Sequence, residues 1–185
     1  MTYYGPAEMA AAFRTVRGNT IKIAEEIPED RYNLRATPET RSVAETLAHI
    51  AVTTRVPRQL HIQERLTNLA GFDFFGIMGA LQAEVAKPRS KAEILELLRT
   101  EGEAFANELE ALPESALAEQ VTYPPGMMPP AKSRFEMLLS AKEHEMHHRG
   151  QLMVLQRMIG GKPHLTRQME ERIAGMQAAS QTSGD

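Results

Sequence analysis

The run "SAKEHEMHHRGQLMVLQRM" carries His144, Glu145, His147 and His148, an H-E-x-x-H pattern with a further histidine set against its end. In zinc proteases the two histidines of such a helix bind the metal and the glutamate is the general base. The same spacing can equally hold a metal for other chemistry. At about 100° per residue, His148 lies about 40° from His144, and His147 about 60° to the other side. Met137, Leu152, Leu155 and Ile159 fall on the side of His144 and His148, whereas Lys142, Arg149 and Arg157 lie opposite. His144 and His148 are therefore expected in the middle of the core-facing stripe, with His147 at its border and Glu145 towards the other edge as a flanking surface residue. Two imidazoles buried one turn apart need a common partner. A divalent metal supplies one, at about 2.0–2.1 Å from each nitrogen. His147 and His148 diverge by about 100° and do not easily serve one ion.

Two histidines make an incomplete site. His49, in "SVAETLAHIAVTTR", is the candidate third ligand. It shares a side with Thr46, Thr53 and Val56, while Val43, Leu47 and Ile50 lie to one side of it. From this segment alone it is either a ligand or a boundary histidine with water on one nitrogen. His61 and His164 stand after Pro57 and after a glycine pair, and both are expected at the surface. Gln151, one turn from His148, is placed to line the site. Glu45 could hydrogen-bond the second nitrogen of His49, but capping is the favoured role for its carboxylate. Tyr3, Tyr4, Tyr123 and the eleven methionines are candidates to line a pocket, adaptable core filling being the stronger reading for the methionines.

The elements that must position these residues are helical. Three S-x-x-E capping boxes, Ser42–Glu45, Ser90–Glu93 and Ser133–Glu136, stand ahead of helical patterns. A first helix is expected over Pro6 to Glu26. A second starts at Ser42 and runs into "TTRVPRQLHIQERL", where Pro57 should kink or break it. The third spans Lys91 to Leu112 before Pro113, and the fourth runs from Arg134 to Ile159 before "GGKP". "VTYPPGMMPPA" reads as a proline-rich connection with a brief extended stretch. A short helix over Arg167 to Gln177 and a frayed tail, "SQTSGD", complete the chain. The pattern predicts an all-α four-helix bundle with long connections. Residues 1–165 would form a single bundle domain, and 166–185 the short C-terminal helix and tail.

Composition narrows the chemistry. The 185 residues, 42% hydrophobic, suffice for one domain with a full core. Net charge is −3 with dispersed basic residues, so no nucleic-acid partner is expected. No apolar run approaches a membrane span, and the N-terminus lacks the basic and apolar regions of a signal peptide. A cytoplasmic protein is expected. With no cysteine in the sequence, thiolate ligands and a cysteine nucleophile are excluded. Nor is there a serine-triad pattern or a phosphate loop. Any chemistry must come from the metal.

"LAHIA" on a second helix, "EHEMHHRGQL" on the last long one, and the four-helix layout together resemble the DinB superfamily, which includes the YfiT-like metal-dependent hydrolases. "RSVAETLAHI" and "LPESALAEQV" are also similar to segments of that family, and "HHRGQL" is the most specific piece. The resemblance covers about residues 6 to 160. It implies a divalent metal held by one histidine of the second helix and two, at i and i+4, of the last: His49, His144 and His148. Zinc or nickel suits an all-nitrogen set best, iron or manganese less clearly. The resemblance also implies a homodimer, and a small-molecule substrate used with a low-molecular-weight thiol in some relatives, including thiol transferases and a mycothiol-dependent maleylpyruvate isomerase.

Against a zinc protease, Gln151 stands where the extended H-E-x-x-H-x-x-G-x-x-H motif needs glycine. Glu170 and Glu171 lie at a plausible distance for a glutamate ligand, but no strand edge is expected on which a peptide could add itself. The resemblance thus implies a metal-dependent enzyme of the thiol-transferase or hydrolase type. The alternative is a non-catalytic, metal-stabilised small-molecule-binding or stress protein, and an H-E-x-x-H zinc protease is the less favoured third.

Overall fold

The computed structural model describes residues 4–182. Helix α1 spans Pro6–Glu26, with Pro6 in its first turn, where a missing N–H leaves no bond unmade. Helix α2, Val43–Thr53, begins at Ser42, whose hydroxyl accepts from the Glu45 amide while the Glu45 carboxylate accepts from the Ser42 amide. The same reciprocal pair opens α5, Lys91–Glu110, at Ser90 and α6, Arg134–Met158, at Ser133. All three capping boxes expected from the sequence are formed.

Pro57 acts as expected, and its effect begins upstream. Lacking an N–H for the Thr53 carbonyl, it ends α2 at Thr53. A single turn, α3 (Arg55–Pro57), leads into a π-helical stretch over Arg58–Gln63. That wider turn rotates His61 inward, so that it is buried, not exposed as expected from its polar surroundings. Helix α4, Phe74–Val85, has no counterpart among the expected elements. The proline-rich connection holds a small antiparallel hairpin, β1 (Gln120–Thr122) with β2 (Ala131–Ser133), in the register Val121↔Lys132. The last helix, α7 (His164–Thr182), is longer than the expected one and starts earlier. It is helical into "SQTSGD", whose last three residues lie outside those described, as does Tyr3. His164 is buried against α1 and bonds Asn19 Oδ1 at 3.2 Å, again correcting a surface expectation.

Helices α5 and α6 each pack against both α1 and α2, which makes a four-helix bundle with α2, which carries His49, and α6, which carries His144 and His148, in contact. One apolar layer joins Ile23, Leu47, Ile50, Ile94, Leu98 and Leu152. The other joins Met9, Phe13, Phe105, Leu109 and Leu138, with the Phe13 and Phe105 rings 4.8 Å apart. Burying each such side chain contributes about 1.5–3 kcal/mol.

Between the two layers lies a buried ion pair. Arg17 of α1 donates through Nε to both oxygens of Glu145 at 3.0 Å, and its Nη2 stands 2.9 Å from Glu145 Oε2. Nη1 donates to the Leu98 carbonyl at 2.7 Å and Nη2 to that of Ile50 at 3.2 Å. One guanidinium thus ties all four bundle helices together. Gly102 makes room for it, since a Cβ there would stand 2.8 Å from Arg17 Cγ.

A second buried arginine, Arg134, pairs with Glu119 and donates to the carbonyls of His61, Arg65 and Leu66, which fixes the end of the π-helical segment. No helix among the described residues is long and apolar enough to cross a membrane.

Candidate metal centre

His49 projects from the middle of α2 towards α6, where His144 and His148 are stacked one turn apart. The Nε2 atom of His144 lies 3.2 Å from that of His49 and 3.1 Å from that of His148. Two nitrogens on a common tetrahedral ion, each about 2.0–2.1 Å from it, stand about 3.3–3.4 Å apart. The observed spacings are close to that value. Among the described residues this is the one group of three or more histidine or acidic side chains arranged to share an ion.

The proton inventory supports the same reading. His148 Nδ1 lies 2.8 Å from Gln151 Oε1 and must donate to it, which leaves Nε2 of that ring a bare lone pair facing the cluster. The Gln151 amide nitrogen is 3.2 Å from His147 Nε2. A proton on His144 Nε2 could satisfy only one of its two close contacts. A cation satisfies all three nitrogens together. All three rings are held neutral: burial, then the nearby Arg41 charge and the other histidines, push His49 down to about 3. Burial first and His148 next push His144 down to about 4. His148 is also lowered, chiefly by burial, against the opposing effect of its bond to Gln151. Neutral imidazole is the form a metal needs.

The buried face of α6 differs from the expected one. Arg134, Leu138, Ala141, Glu145, His148 and Leu152 line it, so Glu145 is near its centre at 1% exposure. His144 is half-buried at the border, beside a cavity. Glu145 is therefore neither a surface residue nor free to activate water, because Arg17 holds both its oxygens. His147 is exposed and turned aside, as expected. Glu45 caps α2 and pairs with Arg35 at 2.7 Å instead of reaching His49. Glu170 pairs with Lys162 at 2.6 Å and is not part of the cluster.

A cavity of about 840 Å³ opens beside the histidines, with His49 and His144 in its wall. Tyr123, Met78, Met127 and Met137 also line it, whereas Tyr4 packs on Phe135 and accepts from Lys142 at 2.9 Å. His61 lines the cavity too, and no sequence signal marked it. Burial, with the Arg134 charge as a smaller cause, lowers its pKa from 6.5 to about 4.

Between those two values the unfolded chain binds the proton and the folded one does not. The stability contributed by the neutral ring is thus complete above about pH 6.5 and is lost as pH falls towards 4. In metal-free protein the urea midpoint should fall across this window, the His61 share being about 2 kcal/mol at pH 5. His61→Leu should flatten the slope, and equal slopes in the two proteins would refute the account.

The family model of the DinB superfamily matches residues 12–152. Among solved structures, a DinB-like protein of Bacillus subtilis, YjoA, is 23% identical, with a TM-score of 0.62 over 84% of this chain and 94% of that one. A DinB-like protein of Bacillus cereus is 16% identical, with a TM-score of 0.66 over 88% and 97% of the two chains. YfiT from Bacillus subtilis, described as a probable metal-dependent hydrolase with an unusual four-helix bundle topology, is 14% identical, with a TM-score of 0.66 over 88% and 91%. At these identities the likeness establishes the fold. No curated protein matches the chain.

Proposed function

The chain belongs to the DinB superfamily, and from that premise and the geometry of its histidines we propose that it is a divalent-metal-dependent enzyme acting on a small molecule. His49, His144 and His148 are the ligands. Zinc or nickel fits the all-nitrogen set best, with iron or manganese as lesser alternatives. The observation that carries the reading is the convergence of three neutral Nε2 atoms, 3.1 and 3.2 Å apart at the two contacts of His144, beside a roomy cavity. A three-nitrogen site leaves a coordination position open, and the bound metal would supply an activated water near pH 7 or a stabilised thiolate.

The protein's own groups do the rest. Gln151 holds His148 in the Nδ1–H tautomer, and Arg17 with Glu145 ties α6 to α1, α2 and α5 behind the ligands. The reaction is of the thiol-transferase or hydrolase type. The chain has no cysteine, so a thiol would arrive as a low-molecular-weight co-substrate. A homodimer in the cytoplasm, without nucleic-acid or membrane partners, completes the proposal.

A cavity that reaches the ligands favours an enzyme over a metal used only as a staple. The peptidase reading loses its base, because Glu145 is committed to Arg17.

Metal analysis of the purified protein should find about one divalent ion per chain. Thiol-conjugation and ester-hydrolysis screens should then show turnover that a chelator abolishes and added zinc restores. Bound metal without turnover in either screen would favour the metal-stabilised binding protein. Absence of any bound metal would end the proposal.

A further inference from the structure

The wall of the cavity has an unusual property: among the described residues, no Asp, Glu, Lys or Arg is part of it. Its bulk is Val56, Leu60, Leu69, Phe72, Met78 and Leu81, with further apolar side chains around them. The hydroxyls in the wall spend their protons internally. Thr53 donates to the His49 carbonyl at 2.8 Å and Thr54 to that of Ala51 at 2.9 Å. Ser140 donates to the Met137 carbonyl at 2.6 Å, and the Tyr123 hydroxyl to the Met137 sulfur at 3.0 Å. His61 remains neutral near pH 7 because burial opposes its charging. A ligand in this space meets mainly hydrocarbon, sulfur and aromatic rings, with the neutral His61 ring and a few hydroxyl oxygens as the other polar groups besides the His49 and His144 end.

Helix α4 adds a separate observation. Its sequence "FFGIMGALQAEV" is rich in apolar residues, yet only Leu81 is buried. Phe74, Phe75 and Met78 all line the cavity while remaining 53%, 87% and 37% exposed. Apolar surface of this kind gains by being covered. The volume of about 840 Å³ is that of a site for a small organic molecule.

We propose that the cavity binds an uncharged, predominantly apolar small molecule, aromatic or alkyl, whose polar reactive atom is held at the His49–His144 end. Ionised substituents deeper in the cavity are rejected, because the wall offers no countercharge and a charge left unpaired there is strongly unfavourable. The inference names the substrate class for the metal centre and rests on that reading of the histidines. The cavity itself can be tested without metal or turnover.

N-Phenyl-1-naphthylamine and its 8-sulfonate share one ring skeleton and differ by a fixed negative charge. Fluorescence titration of the full chain should show the uncharged probe binding at least about tenfold more tightly than the sulfonate. Met78→Lys, on the partly exposed face of α4, should weaken the uncharged probe by a similar factor and leave bound zinc unchanged. Equal affinity for the two probes, or no effect of Met78→Lys, overturns the proposal. So does an affinity that falls as protein concentration rises, which would mean that a second copy covers α4. If the uncharged probe binds selectively but zinc does not bind, the metal reading fails and the cavity assignment stands. If zinc binds and neither probe does, the reverse holds.

Discussion

Replacing His144 by alanine should lower zinc affinity by more than about 100-fold, the largest effect expected of any single change at the site. His144 is the hub of the cluster: its Nε2 is the atom close to both other nitrogens, at 3.2 and 3.1 Å. Loss of an outer hydrogen-bond partner of a ligand typically costs about 10–100-fold in metal affinity, so loss of a ligand itself exceeds that range. His49→Ala and His148→Ala should approach the same loss. His147→Ala is the informative control. That ring is exposed and meets the cluster through Gln151, which bonds both His147 and His148, and edge-on against the His148 ring at 5.0 Å between centroids. It should keep full metal stoichiometry, with at most the modest weakening of an outer contact. Competition with a chromophoric chelator measures all four variants. Full retention in His144→Ala, or complete loss confined to His147→Ala, would sink the ligand assignment.

The helices that carry these histidines were legible because their starts are marked by local chemistry. Ser42, Ser90 and Ser133 each precede a glutamate by three residues, and each starts a helix. Helix α4 gave no such signal. It has a lone Asp73 cap, glycines at 76 and 79, and no buried stripe to impose a period, since Leu81 alone is buried. The pair at 144 and 148 could be read from spacing. His49 is brought to that pair by the packing of α2 on α6, which no local window contains.

His61 and His164 were misplaced for tertiary reasons. The π-helical turn carries His61 inward from a polar stretch, and α7 docks His164 against α1. The centre of the α6 face was missed because hydrophobic counting assigns polar residues to the outside. Arg134 and Glu145 are inside, satisfied by partners that no local window contains. Arg17 is 128 residues from Glu145.

That pair leads to the second large effect. Glu145→Gln should cost about 3–5 kcal/mol of folding stability, because it leaves the Arg17 charge buried without its counterion. Both side chains are nearly sealed, at 5% and 2% exposure, so water cannot take over the role. Arg17→Met should be as severe, since it strands Glu145 and also the Leu98 and Ile50 carbonyls that Arg17 satisfies. The double replacement Arg17→Met with Glu145→Leu should recover much of the loss, as an apolar pair of similar volume carries no desolvation penalty. Urea denaturation of the four proteins would close the thermodynamic cycle. The same variants separate the two meanings of the H-E-x-x-H pattern. If Glu145 were a proton acceptor for a metal-bound water, Glu145→Gln would lower turnover about 10²–10⁴-fold while leaving stability and metal content alone. With both oxygens engaged by Arg17, the opposite split is expected: a large stability loss, unchanged zinc stoichiometry in the folded fraction, and turnover within about tenfold of the parent. The glutamate then belongs to the bundle, and the histidines on either side of it to the metal.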